Sequence, residues 1–338
     1  MPATPALLST VQAQPTAMAT LRRALATGRV HHAYLFDGPD GVGKERAAFG
    51  LAQALVCERR AEGSADACGE CRACARAVPR AGETRPLHPD VVVLERGLYE
   101  PTSIGRRTPE TQDISIDQVR TLVLARAAFP PHEGRAKVFI VRRAEELSTS
   151  AANALLKTLE EPGARTHFVL LSSVADALLS TIRSRTQRVR FGALPEAVVV
   201  ELLVGAEHGV ERAQAEATAR LSGGSMATAL SLSDPDATAR REEFVARALE
   251  ALETPDLSGA LELAEDGKKG DKAALVVQIE ALAAALGAQA RDAAGAADRR
   301  SDTAAARHAL ALAALRQIDA NASTQLTVEA MLMKMRAV

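Results

Sequence analysis

Gly38-Pro-Asp-Gly-Val-Gly-Lys-Glu45 follows the apolar triplet Tyr34-Leu-Phe36 and opens a helical pattern at Arg46. Strand, Gly-x-x-x-x-Gly-Lys, helix is the context that makes a phosphate-binding loop credible. Gly38, Gly41 and Gly43 let backbone N–H groups turn inward around phosphate oxygens. Lys44 adds a point charge, and the helix N-terminus adds its dipole. The competing account is a Gly-rich strand-to-helix turn without a ligand. Asp37 and Asp40 flank the glycines and are expected to shape the turn rather than bind metal.

Outward from this loop the chain alternates short apolar runs with helical patterns as far as residue 190. Val91-Val-Val-Leu94, Val138-Phe-Ile-Val141 and Phe168-Val-Leu-Leu171 join Tyr34-Leu-Phe36 as runs typical of strands buried on both faces of a parallel sheet. Between them, Ser148 to Glu161 predicts a helix. Ala152, Leu155, Leu156 and Leu159 form one apolar stripe, Ser148 is the N-cap, and Pro162-Gly163 stops it. Asn153 and Lys157, four apart, share another face. After Phe191 no strand signal is legible. Residues 194–232 read as a small helical unit ending near Ser233-Asp-Pro235, and 236–338 as Ala- and Leu-rich helix. Ala293–Ala306 is read as a solvated helix in preference to a mobile loop.

The phosphate loop carries two defects. The residue after the Lys should be a Ser or Thr whose hydroxyl ligates Mg2+, but position 45 is Glu. A neighbouring strand should end in an acidic residue that completes the metal site. Val138–Val141 is followed instead by Arg142-Arg143, and two cations can neither hold Mg2+ nor polarise a water. ATP or ADP binding through Lys44 and Arg142 stays open; Mg2+-dependent hydrolysis does not. In this kind of site positions 45 and 142 lie close together. Glu45 is therefore expected to pair with Arg142 or Arg143, the alternative being that both side chains turn to solvent.

All four cysteines fall in one short window as Cys57, Cys68, Cys71 and Cys74. Two successive C-x-x-C steps let thiolates converge on one ion, and four sulfurs complete a closed, structural zinc site. Zinc is preferred over iron–sulfur because nothing in the sequence suggests redox chemistry. Four unrelated reduced thiols are the alternative.

Composition sets the outer limits. The 338 residues suggest two or three domains at roughly 100–200 residues each. Only 3% are aromatic, so the core must come from Ala, Leu and Val. The net charge of -1 provides no global field for nucleic acid, so any DNA contact must be local or shared with partners. Residues 1–20 lack a targeting signal and no stretch is apolar enough for a membrane span, which makes a cytoplasmic protein without a membrane partner the expectation. His31 and His32 are expected to be packing or surface residues. Arg135, Lys137, Arg142 and Arg143 form a basic segment that could meet DNA phosphate, although such runs are more often solvated faces.

Several runs together resemble the AAA+ subunits of bacterial DNA polymerase III clamp loaders, over residues 10–230. They are His32-Ala-Tyr-Leu-Phe36 entering the loop, the four-cysteine module after the loop helix, His88-Pro-Asp90, Ile114-Ser-Ile-Asp-Gln-Val-Arg120, Asn153-Ala-Leu-Leu-Lys-Thr-Leu-Glu-Glu-Pro162 and Ser184-Arg-Thr186. Thr186 departs from the family's Cys in the last motif. The resemblance implies an AAA+ α/β domain over 1–190 with its zinc module at 57–74, a helical lid over 191–235 and a helical oligomerisation collar over 236–338. The collar is assigned by position only.

The departures select a type of subunit within that family. Besides Glu45 and Arg142-Arg143, Gly224-Ser-Met-Ala-Thr-Ala-Leu230 resembles the family's second sensor segment, with Ala227 where an Arg contacts the gamma-phosphate. Arg185 is kept. The resemblance therefore implies a subunit inert in cis that donates Arg185 in trans to a neighbour's ATP site. Its implied partners are the gamma/tau and delta subunits, the sliding clamp and, through the complex, primer-template DNA. A solvated arginine among Arg183, Arg188 and Arg190 is the alternative for Arg185. For the chain, the alternatives are a working gamma/tau-type motor and a zinc-dependent nucleic-acid-binding module.

Overall fold

The computed structural model describes residues 6–80, 82–106, 113–206, 208–269, 272–295, 300–319 and 322–338. The chain forms two compact units, Met1–Leu230 and Ser231–Val338. In the first, α1 (Pro15–Ala26) leads to β1 (Ala33–Asp37), α2 (Lys44–Val56), α3 (Arg72–Arg76) and β2 (Val91–Leu94). Then come α4 (Ile116–Val119), a π-helical stretch Arg120–Leu124, α5 (Ala125–Ala127), β3 (Lys137–Val141), α6 (Thr149–Glu160) and β4 (Thr166–Ser172). After these follow α7 (Ser180–Arg183), β5 (Gln187–Arg190), α8 (Glu196–Val204), α9 (Arg212–Leu221) and α10 (Met226–Ser233).

The five strands form one parallel sheet in the order β2-β3-β4-β1-β5. Its register sets Ala33 beside Phe168, Val91 beside Val138 and Tyr34 beside Gln187. Successive strand residues enter opposite cores. Tyr34, Phe36, Val138 and Ile140 pack with α1 and α2 on one side, while Leu35, Phe139, Val141 and Leu170 pack with α6 and α7 on the other. Burial on both faces is why these strands read as unbroken apolar runs. β5 gave no such signal because it is an edge strand with Val189 as its one buried residue.

Helix α6 forms as its pattern requires. The Ser148 hydroxyl accepts the Ala151 N–H at 3.2 Å, Leu155 and Leu159 are buried, and Asn153 and Lys157 are exposed. α8 and α9, with α10 as far as Leu230, belong to the first unit. In the second unit, α11 (Pro235–Glu253), α12 (Ser258–Lys269), α13 (Lys272–Gly295), α14 (Arg300–Asp319) and α15 (Thr324–Arg336) enclose Phe244, Leu263, Ile279, Leu286, Ile318 and Leu332. The helix expected over Ala293–Ala306 lies partly outside the described residues. Within them, α13 ends at Gly295 and α14 begins at Arg300. No helix among the described residues is long and apolar enough to cross a membrane.

Lys137 corrects the reading of a solvated basic run. Its buried ammonium donates to the carbonyls of Arg126, Phe129 and Pro130 at 2.8, 3.1 and 3.2 Å, so it caps the end of α5 and the turn beyond it.

Asp90, immediately before β2, is fully buried. Its carboxylate accepts the N–H groups of His132, Glu133 and Gly134 at 2.6, 2.9 and 2.8 Å. Burial alone would raise this carboxyl; the three N–H groups overcome it and hold it below the ordinary range. A carboxyl depressed in the folded state stabilises above its unfolded pKa near 3.9, and that contribution is lost as pH falls through the folded value. Asp90→Ala is therefore expected to lower unfolding stability by about 2–4 kcal/mol at pH 7. Urea titrations of wild type and variant should converge once the pH drops below the ordinary carboxylate range.

Candidate functional site

Because all strands are parallel, their C-terminal ends share one rim, the place where open α/β sheets bind ligands. The glycine-rich loop leaves β1 there. Gly41 has φ 74°, and a Cβ on it would lie 2.2 Å from the backbone nitrogen of Ala227. A Cβ on Gly38 would lie 2.1 Å from the Phe191 carbonyl oxygen. Glycine is required at both because other backbone occupies the space. The Ser225 hydroxyl donates to the Asp40 carbonyl at 2.7 Å, fixing the segment that contains Ala227 against the loop. Gln14 performs a similar service, donating to the carbonyls of Gly192 at 2.8 Å and Val42 at 3.3 Å while accepting the Gly192 N–H at 3.0 Å.

Lys44, at the start of α2, is 7% exposed. Its ammonium donates to the loop's own Gly38 carbonyl, to Pro39 O at 2.7 Å and to Asp40 Oδ1 at 3.4 Å. Burial pushes this ammonium below its ordinary pKa, and the Asp40 carboxylate works against that. Asp37 pairs with Arg188 (Nε to Oδ2, 2.9 Å), and Asp40 with Lys44, so both aspartates serve the turn and its flanks. His31 and His32 stack at a centroid separation of 4.3 Å before β1.

One residue further, Glu45 forms an ion pair with the Arg142 guanidinium, and the same guanidinium donates to Glu95 Oε2 at 2.7 Å. Arg142 also lies 5.7 Å from the Phe49 ring centroid. Three ends meet here: the start of α2, the end of β2 and the end of β3. Burial opposes the Arg142 charge, but the Glu45 and Glu95 carboxylates outweigh it and raise its pKa. Arg143 does not join them; with φ 46° it turns away and pairs with Glu146 at 3.3 Å. At the end of β4, the Ser173 hydroxyl and N–H donate to Glu145 Oε1 at 2.9 and 3.3 Å.

The four cysteines converge. Cys57 ends α2, Cys71 caps α3, Cys74 lies within α3, and their sulfurs with that of Cys68 all lie within 4.8 Å of one another. The Cys68–Cys74 and Cys57–Cys71 sulfurs are 3.9 and 4.0 Å apart. A tetrahedron with metal–sulfur bonds of about 2.3 Å has edges of about 3.8 Å, so the spacing fits one four-coordinate ion. Backbone N–H groups of Cys68, Cys71 and Cys74 point at the sulfurs of Cys57, Cys68 and Cys71 at 3.3–3.4 Å, a pattern that favours thiolates. Burial raises the Cys68 thiol, but N–H groups of Glu70 and Cys71 and the neighbouring thiols bring it down to about 6. Burial pushes Cys57 and Cys74 up. This group can hold a metal ion.

Arg185 lies between α7 and β5. Its Nε donates to Glu160 Oε1 at 2.7 Å, Nη2 donates to the same oxygen, and Nη1 donates to Thr181 O at 2.9 Å and Ser184 Oγ at 3.2 Å. Sequence reasoning missed Glu95, Glu145 and Glu160 as parts of these sites. Glu95 had a legible signal, since it directly follows a buried strand run and so had to lie on the rim.

A family model described as DNA polymerase III, delta subunit, matches residues 13–195. A DNA polymerase III subunit delta' from Pseudomonas aeruginosa is 38% identical over 214 residues, covering 63% of this chain and 59% of that protein. A subunit gamma/tau from Mycobacterium bovis is 36% identical over 200 residues, covering 59% of this chain and 31% of that one. Thus the chain spans about a third of the length of the gamma/tau relative. A Thermotoga maritima protein related to the DNA polymerase III gamma subunit has a TM-score of 0.46 at 19% identity, covering 94% of this chain and 98% of that one.

The rim pairing has unequal partners. The Arg142 side chain is 12% exposed and serves two carboxylates and a ring, whereas Glu45 is 50% exposed. Arg142→Ala is expected to cost about 2–3 kcal/mol in urea unfolding, because it strips the cation from two neighbouring carboxylates. Glu45→Ala should cost less than about 1 kcal/mol.

Proposed function

Because the chain belongs to the DNA polymerase III, delta subunit family, whose model matches residues 13–195, we propose that it acts as the delta' subunit of a clamp loader. On this reading residues 1–190 are an AAA+ domain, 191–235 its lid, and 236–338 the collar that joins other subunits. The gamma/tau and delta subunits are its partners, with the sliding clamp and primer-template DNA reached through the complex. It works in the cytoplasm as a component of the polymerase holoenzyme.

The observation that carries the reading is the Arg142 guanidinium paired with Glu45. In a working phosphate-loop ATPase the hydroxyl after the Lys and the strand-end carboxylate hold Mg2+ between them. A guanidinium and a carboxylate at those positions neutralise each other and offer neither ligand set nor base. Nucleotide contact remains feasible through Gly38, Gly41, Gly43 and Lys44, without a metal. Arg185 then acts elsewhere, on a neighbour's ATP, where a planar and permanently charged guanidinium stabilises charge on the transferring phosphoryl group. Zinc is the natural occupant of the four thiolates, and with no open position it would be structural.

A gamma/tau-type motor is the second reading, favoured by the 36% identity to the gamma/tau relative. Arg142 weighs against it. A nucleic-acid-binding zinc module lacks the net positive charge that would drive salt-dependent DNA binding.

Purified alone, the chain should turn over no ATP above a blank; turnover would select the motor reading. In a reconstituted loader, Arg185→Ala should lower ATP turnover without abolishing it, since a trans arginine is worth ~10³–10⁵ only at its own site. Unchanged steady-state and single-turnover rates would remove Arg185 from the mechanism. Atomic emission should find one zinc per chain, falling several-fold in Cys71→Ser together with a loss of thermal stability. A metal-free wild-type chain of unchanged stability would refute the zinc assignment.

A further inference from the structure

We infer that Glu160 is the positioning residue for Arg185, a latch that occupies the guanidinium edge a phosphoryl group would take. The inference rests on the trans role proposed for Arg185. Glu160 is the last residue of α6, and Arg185 follows α7. A guanidinium has five N–H donors. Four are used within this chain: Nε and one N–H of Nη2 by Glu160 Oε1, and both of Nη1 by Thr181 O and Ser184 Oγ. One N–H of Nη2 is left without a partner among the described residues.

Arginine binds phosphoryl oxygens best with two parallel N–H bonds from one edge. The Nε–Nη2 edge faces Glu160 and Nη1 is turned back to α7, so Arg185 as held offers no complete edge. The neighbouring arginines are paired less fully. Arg183 Nη1 meets Asp176 Oδ1 at 2.5 Å, while Arg188 meets Asp37 through Nε and Nη2 alone. Glu160 is nevertheless easily displaced. Its side chain is 48% exposed and Arg185 is 33% exposed, so the pair is held only weakly against water. A polyphosphate terminus carries more negative charge than a carboxylate, and it can take over the Nε–Nη2 edge while Glu160 swings to solvent. Until then Glu160 keeps the arginine neutralised at the subunit boundary. It thus sets the ATP concentration at which the neighbour's site is completed, without touching the reacting atoms.

The test is a loader reconstituted with wild type, Glu160→Gln, Glu160→Asp, Arg185→Ala or the Glu160→Gln/Arg185→Ala double variant, assayed for Mg2+–ATP turnover. Glu160→Gln should lower the half-saturating ATP concentration about two- to fivefold, the range of an exposed ion pair, with the maximal rate within about twofold of wild type. Glu160→Asp, which keeps the charge, should restore most of the wild-type value. The Gln substitution should shift nothing in the Arg185→Ala background. The latch is overturned if Arg185→Ala lowers turnover while Glu160→Gln leaves half-saturation unchanged, or if the shift persists without Arg185. An Arg185→Ala loader with wild-type kinetics would be a separate result: it would refute the trans role itself, and the latch with it.

Discussion

A guanidinium placed between two carboxylates organises the rim of this protein. Arg142, at the end of β3, reaches Glu45 at the head of α2 and Glu95 at the end of β2, with Phe49 beneath it. Arg142 alone would be poorly tolerated there because it is almost buried, and without it the two carboxylates would repel. Together they tie three elements at the point where a phosphate-loop enzyme would exchange a divalent ion. A cation that belongs to the chain cannot be released or replaced, which on the proposed reading makes the place structural. Lys44, turned onto the loop's own carbonyls, completes the same picture.

The rest of the first unit extends from that rim. Helix α2 runs from the loop to Cys57, so a single helix joins the phosphate loop to the cysteine cluster. The cluster is tied back to the sheet by Arg76, which ends α3 and pairs with Glu133 at 2.6 Å. Glu133 belongs to the turn whose N–H groups Asp90 gathers. The cysteine cluster, the turn and strand β2 are therefore linked through short contacts. At the other end of the sheet, Arg185 sits just ahead of edge strand β5, whose Arg188 is anchored to Asp37 on β1. Arg185 thus lies between α7 and a strand that is itself anchored to β1.

Much of this is legible in the sequence. Four strands announced themselves because parallel strands buried on both faces cannot afford polar residues. The cysteines did so by spacing, and α6 by its stripe and its Ser148 cap. Glu45 was expected to pair with Arg142 or Arg143, and of the two it is Arg142 that it meets. What stayed hidden has physical causes. β5 is an edge strand with arginines at Arg188 and Arg190, so no apolar run marks it. Lys137 looked like one of a solvated basic group because sequence cannot tell an ammonium in water from one surrounded by carbonyls. Glu160 lies in a charged helix end, where its meeting with Arg185, 25 residues later, depends on how α6 and α7 pack.

On the proposed reading a fixed cation has replaced an exchangeable one on the rim. The most direct test titrates the purified chain with ATP, by calorimetry, in the presence of Mg2+ and in its absence with a chelator. Mg2+ should leave the isotherm unchanged, whatever the affinity. Binding that tightens severalfold when Mg2+ is added would contradict it, because the ion would then have found ligands that Glu45 and Arg142 are argued to withhold.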